Sequence, residues 1–223
     1  MARGLTLLPF ILLCFLPSQA LSGESSGFSF GVGGGAYRPR EYTNNTVIRD
    51  NFGTDGTFMG RLELGWVIHR LVSLEASAGY FQATNTFTET AIASNGEPFT
   101  RSADYTIHVV PLDLSIVFKA DFFEGQVVIP YLGIGVDEYY FNQQGKDGLW
   151  GGKWGSHGLG GLRLFMNPID PKHTGNLKAD YGIDAVYLDL QGKYAVAYRH
   201  LGGSTEGFDF SGWLFTASFL FEF

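Results

Sequence analysis

Apolar and polar residues alternate with a period of two along much of this chain. In segment 57–69, Phe58, Leu62, Leu64, Trp66 and Ile68 share one parity, and Met59, Arg61, Glu63, Gly65 and Val67 share the other. Segment 71–84 sets Leu74, Ala76, Ala78 and Tyr80 against Ser73, Glu75, Ser77 and Gly79. Leu112, Leu114, Ile116 and Phe118 oppose Pro111, Asp113, Ser115, Val117 and Lys119 in segment 105–120. In segment 184–200, Val186, Leu188, Leu190, Tyr194, Val196 and Tyr198 oppose Tyr187, Asp189, Gln191, Lys193 and Arg199. A period of two is the signature of a strand with two unlike faces. Together with the turn residues between them, the pattern predicts strands near 27–38, 57–69, 71–84, 105–120, 127–141, 155–167, 184–200 and 211–223.

The connections alternate in length. His69-Arg70 and residues 121–126 are short, whereas EYTNNTVIRDNFGTDG, AIASNGEPFTRSAD and NQQGKDGLWGGKW are longer and polar. An even number of strands with short turns at one end and long loops at the other describes a transmembrane barrel, with the short turns periplasmic. Segment 167–184 breaks this rule, being long for the short-turn side. It is read as an insertion rather than a partner-holding element, because added loop length costs little.

One such strand would suit a soluble sandwich with a wet face. Eight of them, with no predicted helix to cover the apolar parity, do not. A soluble lipocalin-type barrel would instead turn the apolar parity inward, and alternation alone does not label inside and outside. The glycines do: the small positions of GFSFGVGGGAY and PYLGIGV share the charged parity, where a narrow lumen needs room. Aromatic residues gather on the other parity near strand ends, as interfacial girdles do.

The N-terminus begins MARGLTLLPFILLCFLPSQALSGESS, with Arg3 before an apolar run from Leu5 to Leu16 and a small-x-small site at Ser18-Gln19-Ala20. This is the pattern of a cleaved secretory signal over residues 1–20, too short to span a bilayer. Residues 21–223 then form one barrel domain. Cys14 follows a leucine, which does not suit lipidation, and with the leader removed the exported chain has no cysteine for a disulfide. The formal charge of −7, made more negative by loss of Arg3, argues against nucleic-acid partners. Thirty-one glycines and twenty phenylalanines favour strands with close backbone approaches and broad aromatic surfaces.

The chain closes on SGWLFTASFLFEF, where Trp213, Phe215, Phe219, Phe221 and Phe223 share the lipid-facing parity. With VPLDLSIVFKA, PYLGIGVDEYYF and GSHGLGGLRLF, this ending resembles the small eight-stranded outer-membrane barrels of the OmpA and OmpW type. The resemblance covers essentially all of residues 21–223. It implies an all-β, eight-stranded antiparallel up-and-down transmembrane barrel in the bacterial outer membrane, in contact with outer-membrane lipid and expected as a monomer. It further implies that Phe219, Phe221 and Phe223 form the assembly signal met by the barrel-assembly machinery. No peptidoglycan-binding domain is expected beyond the barrel.

With the charged parity inward, the lumen is expected to hold Arg61, Lys119, Arg163, Lys193 and Arg199 against Glu63, Glu75, Asp113, Asp137, Asp189 and Glu222. Buried charges require partners or water, and eight strands leave little more room than their own side chains need. A charge-plugged interior without a wide pore is therefore expected.

The function classes that follow are a narrow channel or transporter for small solutes, or a structural barrel. The OmpW resemblance implies apolar solutes leaving laterally to the membrane. The alternatives are an adhesive barrel acting through its loops and a lipid A-modifying enzyme.

No enzyme is expected. His200, Ser204 and Glu206 in RHLGGSTE lie four and two apart across glycines, which suits a polar loop better than a nucleophile, base and acid. His157 reads as an interfacial ring. GVGGGA fits a dinucleotide fingerprint but opens no helix, and Asn44 to Thr46 is a glycosylation sequon without meaning in an outer membrane. His69, His108, His157, His173 and His200 lack metal-ligand spacing. No cofactor is expected.

Overall fold

The computed structural model describes residues 27–40, 57–92, 97–123, 125–144, 149–203 and 209–223. Eight strands run in chain order: β1 (Phe28–Pro39), β2 (Thr57–His69), β3 (Val72–Ile92), β4 (Pro98–Lys119), β5 (Val128–Gln144), β6 (Leu149–Phe165), β7 (Ala185–Gly203) and β8 (Gly212–Glu222). Each pairs antiparallel with its sequence neighbour, and β1 pairs with β8, so the sheet is a closed up-and-down barrel. Closure leaves the barrel wall no free edge, which is what lets strands satisfy their backbone without water. At the seam Ser29 faces Glu222, Phe30 faces Phe221 and Pro39 faces Gly212. Phe28 and Phe223 exchange both backbone hydrogen bonds, at 3.3 and 2.9 Å.

The alternation sorts the two faces as expected. On β2, Phe58, Leu62, Leu64, Trp66 and Ile68 are exposed, whereas Met59, Arg61, Glu63 and Val67 are buried. On β5, Leu132 is 70% and Ile134 66% exposed between buried Tyr131 and Asp137. Trp213, Phe215 and Phe219 continue the outer belt on β8. In water so continuous an apolar wall would cost about 25 cal/mol for each Å2 left uncovered, which makes it a face suited to an apolar solvent.

Narrow barrels need missing side chains where walls approach. A Cβ on Gly33 would strike Ser218 and the Ala217 carbonyl, and one on Gly35 would strike the Phe215 carbonyl. Both glycines stand on the inner parity of β1 at the β8 seam.

Two expectations are corrected. Segments 91–104 and 142–154 are largely strand rather than loop. β3 and β4 stay in register out to Ile92 opposite Pro98, although β2 leaves β3 at Met59 opposite Phe81. The extension pairs Thr84 with Thr106, Glu89 with Arg101 and Thr90 with Thr100. Such residues have strand propensity but no apolar alternation. Likewise Leu201 to Gly203, expected in a polar loop, belong to β7. Ser204, Glu206, the 1–20 leader, the Asn44–Thr46 sequon and loop 41–56 lie outside the described residues.

Segment 167–184 contains a 3-10 turn (Asn167–Ile169) and a helix, α1 (Pro171–Tyr181), where no helix was expected. Its signals are local ones. Asp170 caps the helix by accepting from the His173 backbone N–H at 3.2 Å, and Pro171 opens it. Gly182, at φ 72°, ends it with its N–H on Lys178 O at 3.1 Å. No residue of α1 is buried, so an apolar stripe could not have announced it.

The backbone N–H of His173, and then its side chain, hold the Asp170 carboxyl below the usual carboxylate range. A depressed pKa places the cap's contribution above the ordinary carboxylate pKa and removes it as pH falls through the lowered one. Asp170→Ala is expected to speed amide exchange over residues 171–176 at neutral pH and to leave the barrel amides unchanged. Acidification of the unsubstituted chain should do the same; equal exchange in both chains would remove the cap from the account.

Candidate functional site in the lumen

The inward parity of six strands, β2 to β7, delivers a buried polar network to the middle of the barrel. Lys193, on β7, places its Nζ 2.8 Å from Asp113 Oδ2 on β4 and 2.8 Å from Asp137 Oδ1 on β5. Ser77 Oγ also donates to Asp113 Oδ2, at 2.5 Å. Arg61 lies 3.7 Å from Asp113 and 3.5 Å from Glu63, and donates to Gln191 in a short hydrogen bond. Arg163, on β6, bonds Glu75 at 2.7 Å and stands 3.9 Å from both Glu63 and Asp189. Its guanidinium lies 5.1 Å from the centre of the Tyr131 ring, and Tyr131 donates to Asp189 at 2.7 Å. Arg61 thus links one cluster around Lys193 to another around Arg163.

Of the charges expected in the lumen, Arg61, Glu63, Glu75, Asp113, Asp137, Arg163, Asp189 and Lys193 are buried and brought together in this network. Lys119 and Glu222 stand apart, 3.9 Å from each other at the end where β1 begins and β8 finishes. Arg199 is opposite Trp154 in β7, and its side chain lies outside those described. On β8, Phe219 and Phe223 are exposed and Phe221 is half-buried on the outer wall.

His157 is the main correction. It is not an interfacial ring: it points inward from β6 and is buried. Its Nδ1 is 2.8 Å from Asp137 Oδ2, and its Nε2 is 2.9 Å from Ser115 Oγ. A carboxylate only accepts, so Nδ1 carries the proton facing Asp137. The imidazole reaches Ser115 on β4 by crossing β5 at Gly135, where a Cβ would stand 2.6 Å from the ring. His157 shares its parity with Arg163, which is the signal that the sequence offered.

Ser115, His157 and Asp137 have the order of a nucleophile, base and orienting acid. They pack inside the plug, however, and Lys193 holds the other oxygen of Asp137. Ser115 is 2% exposed, and the set braces β4, β5 and β6 together.

Toward the other end the lumen becomes apolar. Tyr37, Met59, Phe81, Ile107, Val109, Tyr139, Phe141, Phe210 and Leu214 form one buried cluster. Tyr139 stacks on Phe210 at 5.4 Å, and Tyr37 on Phe81 at 5.1 Å. Sequence reasoning expected aromatics on the outer wall and charge inside. It missed this second layer, although Tyr37, Tyr139 and Phe141 share the inward parity of their strands. Lys153, expected in a loop, is buried on β6. Among the described residues no group of His, Cys, Asp and Glu could hold a metal ion.

No family model matches the chain, and no curated protein matches it in sequence. Solved structures do match. The outer-membrane protein OprG from Pseudomonas aeruginosa superposes with a TM-score of 0.55 at 14% identity, covering 90% of this chain and 97% of that one. Neisserial surface protein A superposes with a TM-score of 0.50 at 15% identity, over 91% of this chain and 100% of the other. Identities this low speak for the fold alone. By that measure and by its own closed topology, the chain has the fold of the small eight-stranded outer-membrane β-barrels.

Proposed function

We propose that this chain is a bacterial outer-membrane barrel whose lumen is closed at rest, serving as a structural barrel rather than an open channel. The observation behind the proposal is the filled interior. Arg163 and Lys193 lie among ion-pair partners at mid-height, with the aromatic cluster stacked beyond them. Moving an ion through these layers would require the salt bridges to part and the rings to separate, both unfavourable in a dry interior. Outer-membrane lipid covers the exposed belt, the barrel works as a monomer, and Phe219, Phe221 and Phe223 present its last strand to the assembly machinery. It is not an enzyme.

A second reading has one observation in its favour: the apolar half of the lumen suits small apolar solutes better than ions. Such solutes would enter from the long-strand end and leave through the wall above the charged layer.

Single-channel recording of the refolded chain in a planar bilayer tests closure, with the heat-dependent gel shift of a folded barrel as control. No conductance steps are expected from folded protein. Steady steps of an open pore would overturn the closed-barrel reading.

A further inference from the structure

The barrel is filled at mid-height but not at the end where β1 begins and β8 finishes. There a cavity of about 420 Å3 opens between the β2–β3 turn, the β4–β5 turn and the ends of β6, β7 and β8. That volume is within the range of small-molecule sites.

Its polar lining is unevenly satisfied. Arg70, at the mouth, is paired with Asp121 at 3.0 Å. Deeper in, Lys119 is 8% exposed, and its nearest carboxylate is Glu222 at 3.9 Å, beyond hydrogen-bond distance. Tyr187 meanwhile donates to the other oxygen of Glu222 at 3.3 Å. Arg163 lines the floor. It spends one terminal nitrogen on Glu75, and its buried Nε, 3.9 Å from Asp189 Oδ2, has no partner within hydrogen-bond distance. Buried donors without acceptors are costly, more so when charged. Among the described residues the lining therefore holds three cations against two carboxylates, with Lys119 and Arg163 still able to donate. Between them the walls are apolar: Val67, Ile129 and Phe165.

We propose that this cavity binds a small monocarboxylate with an apolar body. The carboxylate would accept from Lys119 Nζ and Arg163 Nε, and the body would lie against Ile129, Phe165 and Val67. A bare anion would satisfy the donors but leave the apolar wall wet, and a cation would meet the ammonium. The site opens on this end of the barrel, so it needs no passage through the plug and stands whether or not the lumen conducts.

The test uses the refolded full chain in zwitterionic micelles, titrated with benzoate and separately with inorganic phosphate. Ring signals of Phe165 and Tyr187 are followed by NMR. Benzoate is expected to saturate the shifts below about 10 mM, a modest affinity for one charge pair and one small apolar face. Phosphate should not. Lys119→Gln should weaken benzoate about tenfold or more, as loss of a charge-assisted contact does. Ile129→Trp, which fills the cavity from its apolar wall and keeps Lys119, should abolish binding. It serves as the deciding variant where Lys119→Gln fails the heat-dependent gel shift. Absence of saturable benzoate binding overturns the site. Equal saturation by phosphate overturns the apolar body, and unchanged binding in both folded variants overturns the location.

Discussion

Arg163→Met is expected to destabilise the refolded barrel by about 3–5 kcal/mol, the range for breaking a buried ion pair from one side. The guanidinium is the hub for Glu75 at 2.7 Å and for Glu63 and Asp189 at 3.9 Å, all buried. Methionine matches its stem in volume, so the loss is electrostatic rather than a cavity. Three carboxylates would be left with Arg61 as the nearest cation for Glu63, and only hydroxyl donors, Ser73 and Tyr131, for Glu75 and Asp189. The measurement is urea unfolding in lipid vesicles, followed by tryptophan fluorescence. The double variant Arg163→Met/Glu75→Gln should recover part of the loss, because it removes the nearest carboxylate charge along with its partner. A single-variant cost under about 1 kcal/mol would mean that these carboxylates reach water, as exposed pairs do. The dry, closed middle would then be wrong.

The barrel was legible because its two faces meet different surroundings. An exposed apolar wall outside and a crowded lumen inside force every β2 residue from Phe58 to Ile68 to declare a side, and period two carries that directly. Where the surroundings no longer differ, the signal disappears. The β3–β4 ribbon beyond Thr84 carries no apolar alternation, so Phe99 to Asp104 read as loop although they pair in register. Helix α1 buries nothing and is specified by Asp170, Pro171 and Gly182, three local signals set between longer strand patterns. The lumen's content was legible from parity, but its pairing was not. Lys193 meets Asp113 across 80 positions of sequence and Arg163 meets Glu75 across 88, distances that only shear and register decide. His157 escaped because an imidazole suits an interfacial belt and a buried network equally well by residue type. Its strand parity was the better guide.

That register also makes Gly135 a position where the smallest substitution should be felt, and Gly135→Ala is expected to cost about 1–3 kcal/mol. Gly135 faces Ser115 on β4 and His157 on β6, and the imidazole crosses the space that its side chain would take. An added Cβ would lie 2.6 Å from Cε1 and 2.7 Å from Nε2 of His157, and closer still to the Leu114 carbonyl oxygen. The ring can swing away, which would break its 2.9 Å contact with Ser115 and leave the serine hydroxyl buried without that partner. The carbonyl cannot, because it belongs to the β4–β5 ladder. Two measurements separate these causes. The imidazole 15N shifts of Gly135→Ala should change as the Ser115 contact is lost. Removal of the ring in Gly135→Ala/His157→Ala should leave much of the cost in place, since the backbone clash remains. Full recovery in the double variant would assign the glycine to the imidazole alone. A Gly135→Ala chain with unaltered stability and unaltered His157 shifts would show that β5 does not pass this close to β4, and the cross-brace of Ser115, His157 and Asp137 would fall with it.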